Sequence, residues 1–514
     1  MVETATRASG KRTPVAGAPL DGIEHIVVVM FENRSFDNVL GRLYPPSETF
    51  DGLPLSASNS YKNDFGETIN VPVTNDPPSG RSPYITPYPD PHEGFDDMTL
   101  QLFGYHDSPT ADMSGFAQNY HSIDPLSRHH PGDIMFYFTP DQMPVTNHLA
   151  ENFAVCDQWF ASGPVQTFPN RMFCHCATPS LDGDKARLND VDYIVHASFS
   201  MDAVAGSVPD TSVFELLDGA GVADPANWKV YFHDAPMSIL NVYVNDAFQR
   251  QSPCLANYDG SDYDPPRGTG FATDVANDAL PAYAFIEPRY YDNYASTGLQ
   301  PNSNHPGGAA YPDIGAGQPI DVRNGEALLL DIYDSLAAYP EVFAKTLLIV
   351  TYDEHGGLYD HVGPNRAPFA ATAVSPFQVP PENFDYTRLG VRVPTLFVNP
   401  RIAPNTIYRP LQPSRNQPYY PFDHTSIIAT LCAQFGLEGP LTPRDAAAPI
   451  LAGLIPPSGS VGAGVDPARL ADLKQWVAAQ PKPPGRPAPP MTGAEHDRLL
   501  AAQVRAKATK QPSR

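Results

Sequence analysis

The sequence predicts an α/β protein: a three-layer α/β/α arrangement around a central, mostly parallel sheet, with long loop insertions. Three observations lead there. Short β-branched or aromatic runs recur along the chain, separated by long loops and helical stretches. Two segments carry apolar residues at helical spacing. Two of the apolar runs stop directly at residues with metal-ligand chemistry, and the ends of buried strands are where α/β proteins place their sites.

The runs read as strands are, in order, Ile23 to Phe31, Phe153 to Asp157, Trp228 to His233, Tyr283 to Glu287, Thr346 to Tyr352 and Val393 to Asn399. From Gly325 to Leu336, the residues Leu328, Leu329, Ile332, Tyr333 and Leu336 form one apolar helical stripe leading into the strand at Thr346. Thr425 to Phe435 reads as a second helix, with Ile427, Ile428, Leu431 and Cys432 on its buried side. The 58 prolines are far above an average usage of about 5% and fall mostly between the apolar runs, so long ordered loops over a scaffold follow.

The 514 residues exceed the usual limit for one core, but 42% hydrophobic content with 18% charged residues fits one large elaborated domain. The expected division is a flexible segment over 1–22, a catalytic body over 23–480, and a Pro-rich, then basic, tail over 481–514, with a short helix from Ala494 to Arg505. A net charge of -24 excludes non-specific nucleic-acid binding and adsorption to an anionic membrane, while clustered carboxylates suit cations. No apolar run reaches the length of a transmembrane helix. The first twenty residues lack the apolar centre of a signal peptide, so the chain as written reads as cytoplasmic. Five cysteines are too few and too unevenly placed for a disulfide framework, and Cys174-His175-Cys176 lacks the second cluster of a zinc site.

Four positions carry the metal reading. Glu32-Asn33 follows the first strand and Asp353-Glu354 follows the fifth; a carboxylate beside a carboxamide, and two carboxylates side by side, offer oxygen donors for a hard divalent cation with coordination places left for substrate. Gly356-Gly357 turns the chain sharply away, and Asp360-His361 follows as a further ligand or proton carrier. Thr167 precedes an expected helix start, where it serves either as an N-cap alone or as a nucleophile activated by a metal. His92, His233 and His305 lie in loops or at strand ends and are the candidates for proton transfer to a leaving alcohol.

Glu32-Asn33-Arg34-Ser35-Phe36-Asp37, Thr167 with Pro169-Asn170-Arg171, Thr351-Tyr352-Asp353-Glu354-His355-Gly356-Gly357 with Asp360-His361-Val362, and Asp423-His424-Thr425-Ser426 together resemble a known family. It is the bacterial phosphoesterase family of phosphatidylcholine-type phospholipases C and respiratory-burst-inhibiting acid phosphatases, with plant non-specific phospholipases C as relatives. The resemblance spans roughly Ile23 to Leu437 and implies an alkaline-phosphatase-type fold. It implies Glu32, Asn33, Asp353 and Glu354 as metal ligands and Thr167 as nucleophile and further ligand. By the same resemblance Arg171, Asp360 and His361 are expected on the substrate side.

The expected activity is hydrolysis of phosphate esters through a phosphothreonine, of phospholipase C type. The alternatives are an acid phosphatase acting on monoesters and a non-catalytic cation-binding homologue. The ligand set suits Ca²⁺, Mg²⁺, Mn²⁺ or Fe, and nearby histidines keep Zn²⁺ open. Relatives of this kind are often exported. An aromatic wall beside the site, drawn from Tyr290, Tyr291, Phe377, Tyr419 and Tyr420, would favour a phospholipid substrate, although packing is the commoner role for such residues.

Overall fold

The computed structural model describes residues 11–104, 111–123, 130–178, 212–219, 223–233, 253–258, 269–290, 300–307, 319–364, 388–411, 420–457, 462 and 464–480. The tail over 481–514 with its expected helix, the first ten residues, and Tyr291, Phe377 and Tyr419 lie outside them.

All six expected strands are present. Numbered along the chain, the strands are β1 His25–Phe31, β2 Ser58–Lys62, β3 Thr68–Pro72, β4 Ala154–Cys156, β5 Trp228–Phe232, β6 Leu255–Asn257, β7 Tyr283–Glu287, β8 Thr346–Tyr352, β9 Thr395–Val398 and β10 Thr406–Ile407. Eight of them form one sheet in the order β10-β4-β9-β8-β1-β7-β5-β6. Only β9 runs against its neighbours β4 and β8; the other pairings are parallel. Every residue of β1 and β8 is buried, which explains their near-continuous apolar composition.

Two groups of helices cover the sheet. Trp228 and Tyr231 point to opposite faces of β5. The first packs on Phe214 at 4.6 Å, in the helix Val213–Asp218, and the second on Phe271 at 5.5 Å, in the helix Phe271–Ala276. The Val213–Asp218 side continues with the helices Thr167–Cys176, Thr425–Phe435 and Pro443–Ala447. The other side holds Val322–Ala337 with Pro144–Asn152, Pro340–Ala344 and Pro467–Ala479. The expected stripe from Gly325 to Leu336 extends back to Val322, where the Asp321 side chain accepts the Arg323 N–H at 3.0 Å and caps the first turn. Thr425–Phe435 ends at Gly436, whose φ of 60° gives the left-handed stop that glycine favours.

Within the expected N-terminal segment, residues 15–20 are held down. Gln434 accepts the Leu20 N–H and donates to the Leu20 and Ile23 carbonyls, the Gln434 carbonyl accepts from Val15, and Leu20 is fully buried. Among the described residues no helix is long and apolar enough to cross a membrane.

A smaller core lies beside the main one. The β2–β3 hairpin and the helices Phe95–Phe103 and Phe116–Ser122 gather Val71, Leu102, Phe116, Tyr120 and Ile134 around Leu358 and Tyr359, just past the end of β8. This lobe carries His92 and Glu93 to the edge of the sheet.

Candidate active site

The register aligns the chemistry. Phe31 of β1 pairs with Tyr352 of β8, so Glu32-Asn33 and Asp353-Glu354 leave the sheet side by side, and Glu287 and His233 emerge from the same edge at the ends of β7 and β5. Asn33 bends the chain off β1 with a φ of 58°, a conformation asparagine tolerates better than most residues. Its N–H donates to Asp353 Oδ1 at 3.0 Å, which ties the two strand ends together. Opposite, Gly356 sits so close that a Cβ there would stand 2.1 Å from the Asn33 carbonyl oxygen, so a side chain is excluded.

Thr167 opens the helix Thr167–Cys176, with Gln166 rather than Thr167 in the capping position. Asn170 shapes the entry: its amide donates to the carbonyls of Gly163, Val165 and Gln166 and accepts from the Gly163 N–H. The loop is thereby folded back so that the Thr167 hydroxyl donates to Asn33 Oδ1 at 3.2 Å. The other side of the Asn33 amide donates to Glu93 at 2.6 Å. Thr167, Asn33, Asp353, Glu354 and Glu93 therefore meet in one place.

Arg171, expected on the substrate side, is fully buried beneath this group. Its Nε holds Asp353 Oδ2 at 3.1 Å, Nη1 holds Glu287 at 3.1 Å, and Nη2 donates to the Met30 and Phe31 carbonyls. Tyr290 donates its hydroxyl to the same Glu287 and lies under the Arg171 guanidinium, with 5.3 Å from ring centre to Cζ. His424 braces Asp353 from behind. Because the Trp159 indole N–H can only donate, His424 Nδ1 accepts, and its Nε2–H donates to the Asp353 carbonyl at 2.7 Å.

Charge at the site is out of balance. Arg171 stands among Asp353, Glu287 and Glu32, while Glu354 is flanked by Glu93, Asp353 and Asp90. Burial pushes the carboxyls of Asp353 and Glu354 up; Arg171 opposes this at Asp353, while Glu93 and Asp353 push Glu354 further. Glu354 Oε2 accepts the Gly356 N–H at 2.7 Å, but its buried Oε1 finds no hydrogen-bond partner among the described residues. An orphaned carboxylate oxygen among excess negative charge, beside amide and hydroxyl oxygens, fits a divalent cation. The adjoining Asp90, Glu93 and His305 also bring ligand-type atoms within 4.8 Å of one another.

The three histidines stand differently. His233 is buried, stacks on Tyr258 at 4.6 Å, and faces the Glu287 carbonyl with Nδ1 at 3.0 Å, so Nδ1 carries a hydrogen. His305 places Nδ1 2.6 Å from the Pro306 carbonyl and 3.6 Å from Asp90. His92 is half-exposed, 3.3 Å from Asp97, and a hydrogen bond to that carboxylate raises its pKa. Asp360 and His361 stand apart from the group, bound to Asp37 and Arg392. Cys174, His175 and Cys176 lie in the core, the His175 ring 4.7 Å from Phe285.

Glu93 and Glu287 are contributors that the sequence did not single out, and His424 was named only within the block Asp423-His424-Thr425-Ser426, without a role. Glu287 ends a strand, as Glu32 and Asp353 nearly do, so the same rule applied to it would have found it. Glu93 follows His92 directly, but nothing in its Pro-rich surroundings says which way it faces.

The Phosphoesterase family model matches residues 23–438. Non-specific phospholipase C4 of Arabidopsis thaliana is 32% identical over 453 residues, covering 87% of this chain and 72% of the relative. Phospholipase C B of Mycobacterium tuberculosis is 28% identical over 446 residues, covering 82% and 75%. Among solved structures, a protein of the alkaline phosphatase superfamily from Vibrio parahaemolyticus aligns over 86% of this chain and 72% of its own, at 12% identity and a TM-score of 0.34.

Proposed function

The chain belongs to the Phosphoesterase family and is a phosphoric ester hydrolase; on that premise we propose that it is a metal-dependent phosphodiesterase of phospholipase C type acting through a phosphothreonine at Thr167. The observation that carries this reading is the Thr167 hydroxyl at a helix start, hydrogen-bonded to Asn33 within a carboxylate group short of positive charge. The phospholipid substrate rests on the relatives, which are phospholipases C by name.

Glu32, Asn33, Asp353, Glu354 and Thr167 would hold the divalent cation, which when bound supplies charge that lowers the pKa of the hydroxyl and offsets the phosphate. Thr167 Oγ attacks phosphorus in line with the leaving alcohol; the Oγ–P bond forms, the P–O bond to the alcohol breaks, and the threonine proton passes to solvent water. A histidine at the rim, His233 or His305, delivers a proton to the departing alkoxide. Water then attacks the phosphothreonine and restores the hydroxyl. Arg171 acts throughout as a positioning residue, keeping Asp353 in place from below.

Thr167→Ala is expected to lower turnover of p-nitrophenylphosphocholine by at least about 10³-fold with the fold unchanged and at saturating metal. Near-normal turnover in that variant would sink the nucleophile assignment. The same assay with p-nitrophenyl phosphate and with a phosphatidylcholine vesicle separates the phospholipase from a monoesterase.

A further inference from the structure

A line of buried amides connects the Glu354 carboxylate with the Asp97 side chain. Gln101 and Asn119, on the helices Phe95–Phe103 and Phe116–Ser122, are both buried, and such amides are stable in a core only when their donors and acceptors are matched. The matching runs one way. The Asp97 carboxylate accepts only, so the Asn119 amide turns its Nδ2 to it at 2.8 Å. Asn119 Oδ1 therefore faces Gln101, which donates from Nε2 at 2.9 Å and gives its second hydrogen to the His92 carbonyl, also at 2.9 Å. Gln101 Oε1 is left as an acceptor, 2.8 Å from His355 Nε2. That nitrogen must carry the hydrogen. In a neutral ring the other, Nδ1, then carries a lone pair; it lies 3.3 Å from Glu354 Oε2 and makes no hydrogen bond among the described residues.

Two observations make the direction of this chain matter. Glu354 Oε2 is already the acceptor for the Gly356 N–H, and Oε1 has no hydrogen-bond partner among the described residues. In the other neutral tautomer, with its hydrogen on Nδ1, the ring would donate to Glu354 Oε2 and occupy an acceptor position that a cation needs.

We propose that Gln101, oriented by Asn119 with Asp97 and by the His92 carbonyl, is a positioning residue that locks His355 as the Nε2–H tautomer and so keeps the Glu354 carboxylate undamped for cation binding. This rests on reading Glu354 as a cation ligand. The Asp97 carboxyl is fit for its end of the chain: burial favours its neutral form, but hydrogen bonds from His92 and Asn119 hold it below its ordinary range.

The test uses the full chain with ¹⁵N-labelled histidine, comparing wild type with Gln101→Met, which keeps the side-chain length and removes the acceptor. Long-range ¹H–¹⁵N spectra assign the tautomer, and calorimetry with Zn²⁺ gives the affinity. Wild type is expected to show only Nε2–H at His355. Gln101→Met is expected to populate Nδ1–H and to weaken Zn²⁺ binding by about 10-fold or more, the usual effect of losing an outer partner of a ligand. A wild-type ring protonated at Nδ1, or at both nitrogens, overturns the proposal without any variant. So does a tautomer switch in Gln101→Met with unchanged affinity. Wild-type protein that binds neither Zn²⁺ nor Mg²⁺ overturns the metal reading itself, and with it the affinity half of the proposal, whereas the tautomer spectrum still decides the orientation half.

Discussion

Two acidic clusters stand past the ends of β1 and β8, and they are built from the same parts. Each takes polar side chains from the segment after β1 and from the segment after β8, with a buried arginine between them. In one, Arg392 holds Asp37 Oδ1 at 3.1 Å and Asp360 Oδ1 at 3.0 Å, His361 Nδ1 meets Asp37 Oδ2 at 2.7 Å, and the N–H groups of Asp37, His361 and Val362 fill further acceptor positions. In the other, Arg171 serves Asp353 and Glu287 with Glu32 near it, while Glu93 and Asp353 crowd the Glu354 carboxyl, whose Oε1 finds no hydrogen bond among the described residues. Ligand-type atoms lie within 4.8 Å of one another in Asp37, Asp360 and His361 as well, yet a fixed cation already fills that network. Residue type is shared; the surplus of negative charge is what marks the chemistry.

The largest effect that separates the clusters comes from deleting the fixed cation. Arg392→Met leaves Asp360 buried without its guanidinium and Asp37 with His361 as its remaining charge partner, and is expected to lower unfolding free energy by about 3–5 kcal/mol in urea titrations. Cation affinity should change little. A variant that unfolds at the wild-type midpoint would mean that the Asp37 cluster carries no structural load.

Glu354→Gln is the converse. It removes a ligand and a repelling charge together, so turnover is expected to fall about 100-fold, equivalent to ~2.7 kcal/mol of barrier. In chelator-treated protein the same change should raise the melting temperature, because Glu93 and Asp353 no longer face a buried carboxylate. A lower melting temperature for the metal-free variant would contradict the charge-surplus account.

How much of this was visible beforehand follows from how local each signal is. The six main strands were legible because burial on both faces leaves an almost unbroken apolar run. The β2–β3 hairpin was not, since Ser58-Asn59-Ser60-Tyr61-Lys62 has only an edge role and little apolar alternation, and β6 and β10 span three and two residues. The reversal of β9 depends on the route of a long connection, which no residue in Thr395–Val398 records. Among the site residues, ligand chemistry after a strand identified Asn33 and Asp353, but side-chain type alone did not separate Arg171, buried under Asp353, from an arginine that reaches a substrate. The Asp360-His361 pair carried the same ligand signal as Asp353-Glu354, and only the position of Arg392, far along the chain, tells the two apart.

The smallest effect tests whether the Asp37 cluster is as closed as its contacts imply. Burial lowers the pKa of His361, but the hydrogen bond and charge of Asp37 and the charge of Asp360 outweigh it, so the folded pKa stands above the ordinary 6.5. A raised imidazole pKa means that the folded state binds the proton more tightly than the unfolded chain. The resulting stabilisation is complete below pH 6.5 and fades as pH rises through the folded value. Because the His361 side chain is 21% exposed, solvent screens the pair and the contribution should be about 1 kcal/mol or less. Measured as the difference in melting temperature between wild type and His361→Gln, the advantage should be present at about pH 5 and nearly gone at about pH 9. A constant difference across that range would show that the imidazole packs there without titrating, and that Arg392 alone balances the two carboxylates.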